Sequence, residues 1–489
     1  MRIEIPIGGQ SQDFNSRRSR SDIVNAFIEF NKGGDFYRIR KAQGLKEYFS
    51  AGTGPIRGMF TISDLIFFVS GQEVRAIRVL ISGGFTSYLL GTVSGYDSKC
   101  KFAANGTDSG QVMLIVEGDG YIIQNLTGTP TMTQITDVDY EGDYSIASLN
   151  QIFWVNKPNS NEFIGSTAAD GLDWPALRFA AAEQSPDAIV YMAQKKSALW
   201  IMGEKTCEYW QTDITDTDVP VRPVLGATIE RGVGAQKSVA EFQDSIFFLG
   251  DDYSVYQISG TGITKISDIG LEYAIKGDGF KAGYDNVDDA EGFFIDHPAH
   301  KMYVLTFRAA RVTWVYDLST GLWHKRSSKN SGYWRARDAV IFGQKIIVGD
   351  YLSGTLFELD ENTYKENGDD LTVEIVTPSL SGEERDLYVS YVEPNVEVGR
   401  GEATAVYNGV LTPWLVKPYL QLEYSKDGGV TYKAKRSLNI GQAGDRQKIT
   451  RSYQFGRTKR GFNFVLRFKF TDNSPFFMYK IFAEVEKGG

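Results

Sequence analysis

The sequence predicts an all-β protein: a roughly seven-bladed β-propeller followed by a C-terminal antiparallel β-sandwich-like domain. Three observations support this fold class. Long amphipathic helical patterns are nearly absent from the 489 residues. The composition combines 51 glycines with 13% aromatic residues, which is typical of short strands joined by tight turns. One hairpin pattern recurs along the chain, and this repetition is the strongest of the three observations.

Each repeat has a polar or turn pair, an apolar run, a short turn and a second run rich in aromatic residues. The seven copies are residues 63–79, 110–125, 149–166, 195–212, 242–259, 299–317 and 342–360. Their centres are about 47 residues apart on average, which matches the length of a four-stranded propeller blade. We therefore expect one blade for each repeat.

The two runs of a repeat differ in pattern. The first run is the more continuously apolar, and we expect it to form the inner strand, covered on both faces. The second run alternates more strongly and is expected nearer the rim. Residues 118–120, 203–204 and 251–252 carry the residue types of hairpin connections.

The segment WVYDLSTGLWHK (314–325) shows how one repeat is built. Asp317 can accept a hydrogen bond from a backbone N–H two residues on, and Gly321 supplies a position with positive φ. We therefore predict a turn between these residues. The flanking Trp314 and Trp323 are expected to pack between neighbouring blades, so the segment is interpreted as a structural hairpin.

Three segments are predicted along the chain. Residues 1–50 are expected to form an N-terminal arm and a strand that closes the propeller or reaches a neighbour. Residues 51–370 are expected to form the propeller itself. Residues 371–489 lack the repeat frame and carry long alternating strands, which indicates a separate antiparallel β domain.

Composition narrows the classes of function. No window of about 18 apolar residues exists, so we expect no membrane insertion, and residues 1–22 lack the apolar region of a secretory signal. Cys100 and Cys207 lie far apart in the sequence, which favours free thiols, and Cys207 is expected in the core. The three histidines are expected at loop or rim positions, which leaves few candidates for histidine-based metal sites.

Charge is distributed unevenly. Residues 371–489 carry 17 Lys and Arg against 13 Asp and Glu, a net charge of +4, so residues 1–370 carry −13 of the total of −9. Basic residues alternate with Phe in the C-terminal segment and predict a partner-binding face. These residues are Arg451, Arg457, Lys459, Arg460, Arg467 and Lys469. The face would dock an acidic protein, with a solvated outer surface and DNA contact as the alternatives.

Other motifs favour turns rather than chemistry. Residues 425–432 fit the Asp-box of sialidase propellers, a turn-stabilising device, and residues 260–265 lack the spacing of a phosphate-binding loop. The acidic segments 213–218 and 285–291 are interpreted as solvated loops, with Ca²⁺ binding as the alternative. Residues 383–384 are adjacent on a strand and would face opposite sides, which disfavours an acid–base pair.

A family resemblance is carried mainly by residues 153–210. The matching residues there are Asp173-Trp174-Pro175, Ala182-Glu183, Pro186-Asp187 and the run Gly203-Glu204-Lys205-Thr206-Cys207-Glu208-Tyr209-Trp210; near the N-terminus they are Asn25, Arg40, Lys41, Gly44 and Leu45. With these residues the chain resembles the tail hub, or nozzle, proteins of short-tailed phages, also called the packaged DNA stabilisation protein family. Residues 80–145 and 270–300 show little that matches.

The resemblance implies a structural function in the virion, after assembly in the host cytoplasm. Six copies would form a ring below the portal and its adaptor protein. The ring would extend the DNA channel and retain packaged DNA until ejection, without reading its sequence. It would also anchor a tail needle or plug and tailspike or fibre proteins. No enzymatic activity, cofactor or metal is implied.

The alternative is a glycan-binding or glycan-hydrolysing propeller of the sialidase or kelch type. A sialidase needs a basic triad that holds a carboxylate and a Tyr–Glu pair that supplies the nucleophile. A kelch-type oxidase needs His and Tyr copper ligands, for which three histidines are thin support.

Overall fold

The structure is a computed structural model. It describes residues 1–5, 11–12, 20–30, 37–80, 84–106, 110–185, 187–213, 215–277, 282–382, 385–399, 406–407, 410–411, 418–441, 445–446 and 448–488. The helices in this part of the chain are Ile269–Lys276 and the short 3-10 helix Gln236–Ser238. No described helix is long and apolar enough to cross a membrane. Strands make up most of the regular structure, so the predicted all-β class is confirmed.

Seven four-stranded antiparallel units, called blades 1 to 7 here, carry the central part of the chain. Blades 1 to 5 are separate sheets, whereas blades 6 and 7 continue into further strands. The strands of blades 1 to 4 are Ile56–Ile62, Leu65–Ser70, Glu73–Val79 and Phe85–Thr92; Lys101–Ala104, Val112–Val116, Asp119–Gln124 and Thr131–Gln134; Ile146–Leu149, Ile152–Asn156, Glu162–Gly165 and Phe179–Ala181; and Ile189–Lys195, Ala198–Gly203, Cys207–Thr212 and Val221–Pro223. The strands of blades 5 to 7 are Ala240–Phe242, Ser245–Leu249, Val255–Ser259 and Gly262–Lys265; Ala290–Asp296, Lys301–Phe307, Val312–Asp317 and Leu322–Arg326; and Ala336–Phe342, Lys345–Asp350, Thr355–Asp360 and Gly44–Ser50.

The predicted repeats supply the second and third strands of the blades. The second strands are buried between neighbouring blades, as in Val112–Val116, where every residue is buried. The expectation that this apolar run is innermost was wrong. The first strand of each blade, such as Lys101–Ala104, lines a central cavity and is therefore the strand nearest the axis. The first strands combine polar and apolar residues because they line this polar cavity. They therefore lack the continuous apolar run by which the repeats were recognised.

The ring of blades is closed by the N-terminal part of the chain. Strand Gly44–Ser50 pairs antiparallel with Thr355–Asp360 and is the outermost strand of blade 7. Gly44 fits because a Cβ there would lie 2.2 Å from the carbonyl oxygen of Lys365. The next residue, Leu45, is 1% exposed and packs in the core shared by blades 6 and 7. A strand that precedes blade 1 therefore completes the last blade.

A buried ion pair lies where blades 6, 7 and 1 meet. Arg337 of blade 7 donates two hydrogen bonds to the Glu291 carboxylate of blade 6, at 2.7 and 2.8 Å. The same guanidinium donates to Asp97, which follows blade 1, at 3.0 Å. The Arg337 side chain is fully buried. Three blades are therefore fixed to one another by one guanidinium.

The hairpin at 314–325 forms the outer half of blade 6. The Oδ1 atom of Asp317 accepts a hydrogen bond from the backbone N–H of Ser319 at 2.8 Å, and Gly321 has φ 69°. The indole of Trp323 is buried and donates a hydrogen bond at 2.8 Å to the chain that leaves blade 5. The predicted turn and the packing between blades are both confirmed.

Most of the remaining strands form two sheets that share one apolar cluster, and the second sheet continues from blade 6 because Val24 pairs with Lys325. The first sheet contains Arg2–Ile5, Ala26–Phe30, Tyr37–Lys41, Leu387–Val396, Ser452–Thr458 and Phe477–Lys487. The second contains Ser11–Gln12, Arg20–Val24, Val373–Val376, Leu380–Ser381, Tyr419–Ser425, Lys433–Asn439 and Asn463–Phe470. The short strands are Lys365–Glu366, Asp369–Asp370, Val406–Tyr407 and Val410–Leu411. Strands from the first 41 residues thus pair with the C-terminal segment, a contact that the sequence did not predict.

Asn25 lies at the junction between blade 6 and these two sheets. Its Nδ2 donates hydrogen bonds to the carbonyl oxygens of Ser327 and Thr372, both at 2.9 Å. Its Oδ1 accepts a hydrogen bond from the backbone N–H of Ser327 at 2.9 Å. The residue is 2% exposed and has φ 56°, a conformation that Asn tolerates better than most residues.

Candidate functional site

The first strands of the seven blades surround a cavity of about 430 Å³ on the propeller axis. Each blade contributes to its lining. The polar lining residues are Lys99, Lys101, Tyr144, Ser148, Tyr191, Gln194, Glu241 and Asp338. Six of the seven inner strands begin with a buried residue and six end with a partly exposed one, the exceptions being Lys101 and Leu149. The cavity therefore has a closed end and opens toward the ends of the inner strands.

One wall of the cavity is a compact charge cluster. Glu241 of blade 5 lies 3.1 Å from the Nζ atoms of both Lys101 and Lys195. The hydroxyl of Tyr191 also donates a hydrogen bond to this carboxylate at 3.0 Å. Burial alone would raise the pKa of Glu241, but the two ammonium groups lower it to about 2. Glu241 is therefore a structural counter-ion.

The closed end of the cavity holds a lysine in an unusual setting. Lys99 is 7% exposed, and its ammonium group donates to the carbonyl oxygen of Gly292. No carboxylate of the described chain lies within 4 Å of this ammonium group. Burial lowers the pKa of Lys99. Gly292 allows the inner strand of blade 6 to approach the 3-10 helix that precedes blade 5, because a Cβ there would lie 2.0 Å from the carbonyl oxygen of Ser238.

The chemistry of the cavity does not favour catalysis. The Tyr191–Glu241 contact has the residue types of a sialidase nucleophile pair, but burial raises the pKa of Tyr191 well above its usual range. A carboxylate with a pKa of about 2 is a poor base for such a phenol. Cys100 also lines the cavity, and burial raises the pKa of its thiol to about 12, so a thiolate nucleophile is disfavoured.

The histidines lie apart from this cavity, at the kinds of position that were predicted. His297 and His300 lie in the loop between the first two strands of blade 6, and His324 lies on its fourth strand. His297, His300 and His324 are all buried, at 3% to 4% exposure. His300 Nδ1 lies 2.6 Å from an Asp317 oxygen, and its Nε2 lies 3.6 Å from Glu29. The burial of His300 depends in part on Glu29, which is far from it in the sequence.

The predicted basic face is divided between two sheets. Arg451 and Arg457 lie at or beside the edge strand Ser452–Thr458 of the first sheet. Arg467 and Lys469 lie on Asn463–Phe470, a strand of the second sheet. The remaining two residues of the prediction, Lys459 and Arg460, lie in the turn that joins these strands.

Four of these six cations have carboxylate partners. The pairs are Arg451–Glu393, Arg457–Asp386 at 2.6 Å, Arg467–Glu423 at 2.5 Å and Lys469–Glu374 at 3.1 Å. Lys459 and Arg460 are exposed, and within the described residues neither has an ion pair. The two cations of the predicted face that have no carboxylate partner in the described chain are therefore both in this turn.

The acidic segments use their carboxylates mainly in turns and ion pairs. Asp213 and Asp216 accept hydrogen bonds from backbone N–H groups two residues on, and Glu291 pairs with Arg337. Within the described residues, no group of three His, Cys, Asp or Glu side chains is placed to hold a metal ion. The carboxylates at 383–384 lie outside the described residues.

The two remaining motifs form turns, as predicted. Residues 260–262 connect two strands of blade 5 as a hairpin. In the Asp-box motif, Asp427 Oδ1 accepts a hydrogen bond from the backbone N–H of Thr431 at 2.9 Å, and Ser425 Oγ accepts one from Gly429 at 2.8 Å. The buried Cys207 lies in the core, as expected.

Comparison with protein families gives a match over most of the propeller. The model of the family described as "Bacteriophage P22 Gp10, beta-propeller" matches residues 24–364. The match includes the block at 153–210 and the strand that closes blade 7. The chain belongs to this family. It is therefore a phage structural protein of the packaged DNA stabilisation type, and the propeller fold is confirmed.

The match of the Gp10 family ends close to the end of blade 7, so most of the C-terminal sheets lie beyond it. Among solved structures, virginiamycin B lyase from Staphylococcus aureus is similar with a TM-score of 0.41 at 12% identity, covering 64% of this chain and 98% of the lyase chain. BamB from Moraxella catarrhalis has a TM-score of 0.37 at 9% identity, covering 73% of this chain and 97% of its own. No curated protein matches the sequence.

Proposed function

We propose that this protein is the nozzle of a short phage tail. Six copies form a ring below the portal and its adaptor protein, extend the DNA channel and retain packaged DNA until ejection. The observation that carries this proposal is the match of residues 24–364 to the Gp10 propeller family. The protein acts by shape and charge, without catalysis or a cofactor.

The charge and packing of the propeller support this function. Residues 1–370 carry a net charge of −13, and a negatively charged wall repels phosphate, so DNA would pass without adhering. The second strands of the blades are buried, and the ring is closed by a strand from the other end of the propeller sequence. Such a body would keep its shape while DNA under pressure is retained above it.

The C-terminal sheets support a docking role. Residues 371–489, which supply most of these strands, carry a net charge of +4, and the turn with Lys459 and Arg460 presents its charges to solvent. An acidic surface on a tail needle, a plug, a tailspike or a fibre would complement this turn. The site of action is the virion, after assembly in the host cytoplasm.

The proposal is tested with particles made in the absence of this protein. Heads should package DNA and then lose it, so we expect a large fraction of their DNA to become sensitive to nuclease. Expression of the protein in trans should restore nuclease-resistant particles. Particles that lack the protein and still retain their DNA would rule out the nozzle function.

Two further measurements examine the ring itself. Mass spectrometry of purified virions should detect the protein, and cryo-electron microscopy of the tail should show six copies around the channel. A virion in which the protein is absent, or present outside the tail, contradicts the proposal.

A further inference from the structure

The axial cavity contains two hydrogen-bond donors whose capacity the protein does not use. The ammonium group of Lys99 has three donors, and within the described residues its acceptor is the carbonyl oxygen of Gly292. Tyr144 is 7% exposed and lines the same cavity, and its hydroxyl has no hydrogen-bond partner in the described part of the chain. Both groups therefore have hydrogen-bonding capacity that a bound acceptor could use.

The other charged groups of the cavity are already compensated. Glu241 is held between two ammonium groups, Lys101 and Lys195, at 3.1 Å from each. The second carboxylate, Asp338, accepts hydrogen bonds from the backbone N–H groups of Met59 at 2.8 Å and of Ala339 at 2.9 Å. Among the described residues, Asp338 and Glu291 favour the charged form of Lys99 from a distance, but neither forms an ion pair with it.

The shape and lining of the cavity define the rest of a ligand. A volume of about 430 Å³ is within the range of sites for small organic molecules. Apolar rings line the cavity beside the polar groups: Phe60 and Phe102 stack with centroids 6.2 Å apart, and Phe294 is partly exposed at the open end. These rings would cover an apolar body while the donors at the closed end hold an acidic group.

We propose that the axial cavity of the propeller binds a small organic carboxylate. The carboxylate accepts hydrogen bonds from Lys99 and Tyr144, and the apolar part of the molecule lies against the phenyl rings toward the open end. All the lining residues belong to one protomer. The inference therefore stands or fails independently of the proposed nozzle function.

The test uses benzoate as the probe and benzamide as its uncharged counterpart. Benzoate should raise the midpoint of thermal unfolding of the wild-type protein, with a shift that grows with concentration, and should release heat in titration calorimetry. Benzamide should produce no comparable shift. Lys99→Met should weaken benzoate binding by at least about tenfold, and Tyr144→Phe by several-fold, because charge-assisted hydrogen bonds are lost.

A matched control variant shows whether benzoate binds in the axial cavity. Lys196→Met makes the same substitution on an exposed lysine and should bind benzoate like the wild-type protein. The proposal is overturned if wild-type protein does not respond to benzoate, if benzamide binds as well, or if Lys99→Met retains full affinity.

A measurement on unaltered protein covers the case in which the variants do not fold. Crystals of the wild-type protein soaked in 4-bromobenzoate should show the anomalous signal of bromine within the axial cavity. A cavity without bromine signal in soaked crystals would refute the proposal without any substitution.

Discussion

At the scale of single residues, the Arg337–Glu291 pair is the contact whose loss should cost most. Arg337→Met would leave the Glu291 carboxylate buried without its main counter-ion. Removing one partner of a buried ion pair costs about 3–5 kcal/mol, and we expect a loss of that size in the free energy of unfolding. Urea denaturation followed by tryptophan fluorescence measures it.

The double variant Arg337→Met/Glu291→Leu is the control for this prediction. It removes both charges and should recover much of the lost stability, since apolar replacement of a buried pair is often tolerated.

The pH dependence of stability gives a second check on the Arg337–Glu291 pair. Burial would raise the pKa of Glu291, but Arg337 lowers it to about 2, so the wild-type contribution is present above about pH 4.5 and lost toward pH 2. A single variant as stable as the wild-type protein would contradict the prediction.

His300 should stabilise the fold at low and neutral pH. Burial would lower the pKa of His300, but Asp317 and Glu29 raise it to about 9. The imidazolium is therefore favoured in the folded state, and its contribution, up to about 3 kcal/mol, is present below pH 6.5 and lost as pH rises toward 9. His300→Gln should be less stable than wild type at pH 6, with a difference that shrinks by pH 9 in urea titrations.

His324, in the same blade, should change the stability with pH in the opposite direction to His300. Burial lowers its pKa to about 3, so the folded state holds it neutral while the unfolded chain takes up a proton below about pH 6.5. Its effect is a loss of stability as pH falls. His324→Leu should therefore flatten the acid side of the stability profile, whereas His300→Gln changes the alkaline side. Equal pH profiles for the two variants would contradict both assignments.

At the scale of elements, the closing strand Gly44–Ser50 should control the integrity of blade 7. Leu45→Ala removes a side chain from the shared core of blades 6 and 7, and we expect a loss of about 2–5 kcal/mol in the free energy of unfolding. Hydrogen exchange should become faster in Thr355–Asp360, the strand that pairs with it.

Leu114→Ala is the matched control for the closing strand. Leu114 is also fully buried, but it lies in blade 2. It should lower stability by a similar amount without selectively exposing Thr355–Asp360. Identical exchange patterns in the two variants would show that the closing strand has no special role.

How far the sequence predicts these elements depends on how local their interactions are. Each blade hairpin is specified by apolar runs and a turn within about 20 residues, so the repeats were recognisable. The polar inner strands were missed because their character depends on a cavity that seven distant segments create. Lys101 gave no signal as a site residue, because its partner Glu241 lies 140 residues away. The basic face was predicted from its composition, but Glu393 and Asp386, which pair with two of its arginines, lie on or just before another strand.

At the scale of the whole molecule, the chain folds back on itself. The N-terminus of Met1 donates a hydrogen bond to the carbonyl oxygen of Val485 at 2.8 Å, so both ends of the described chain lie in one sheet. The sequence could not show this pairing, because strand partners so far apart leave no local pattern. The propeller and the C-terminal sheets are therefore joined by the residues that run between them near the N-terminus.

Asn25 is the residue on which this coupling should depend most. Asn25→Ala removes four side-chain hydrogen bonds to the segments at Ser327 and Thr372, and it places alanine at φ 56°. We expect a loss of about 3 kcal/mol or more, since buried partners are left unpaired and the backbone is strained. Calorimetry should show a broadened or split transition, because the propeller and the C-terminal sheets would no longer unfold together.

The matched control is Asn159→Ala, an exposed asparagine at φ 52°, which should lower stability only slightly. If the two variants lose the same stability and both unfold in one sharp transition, backbone strain alone explains the effect and Asn25 does not couple the two parts.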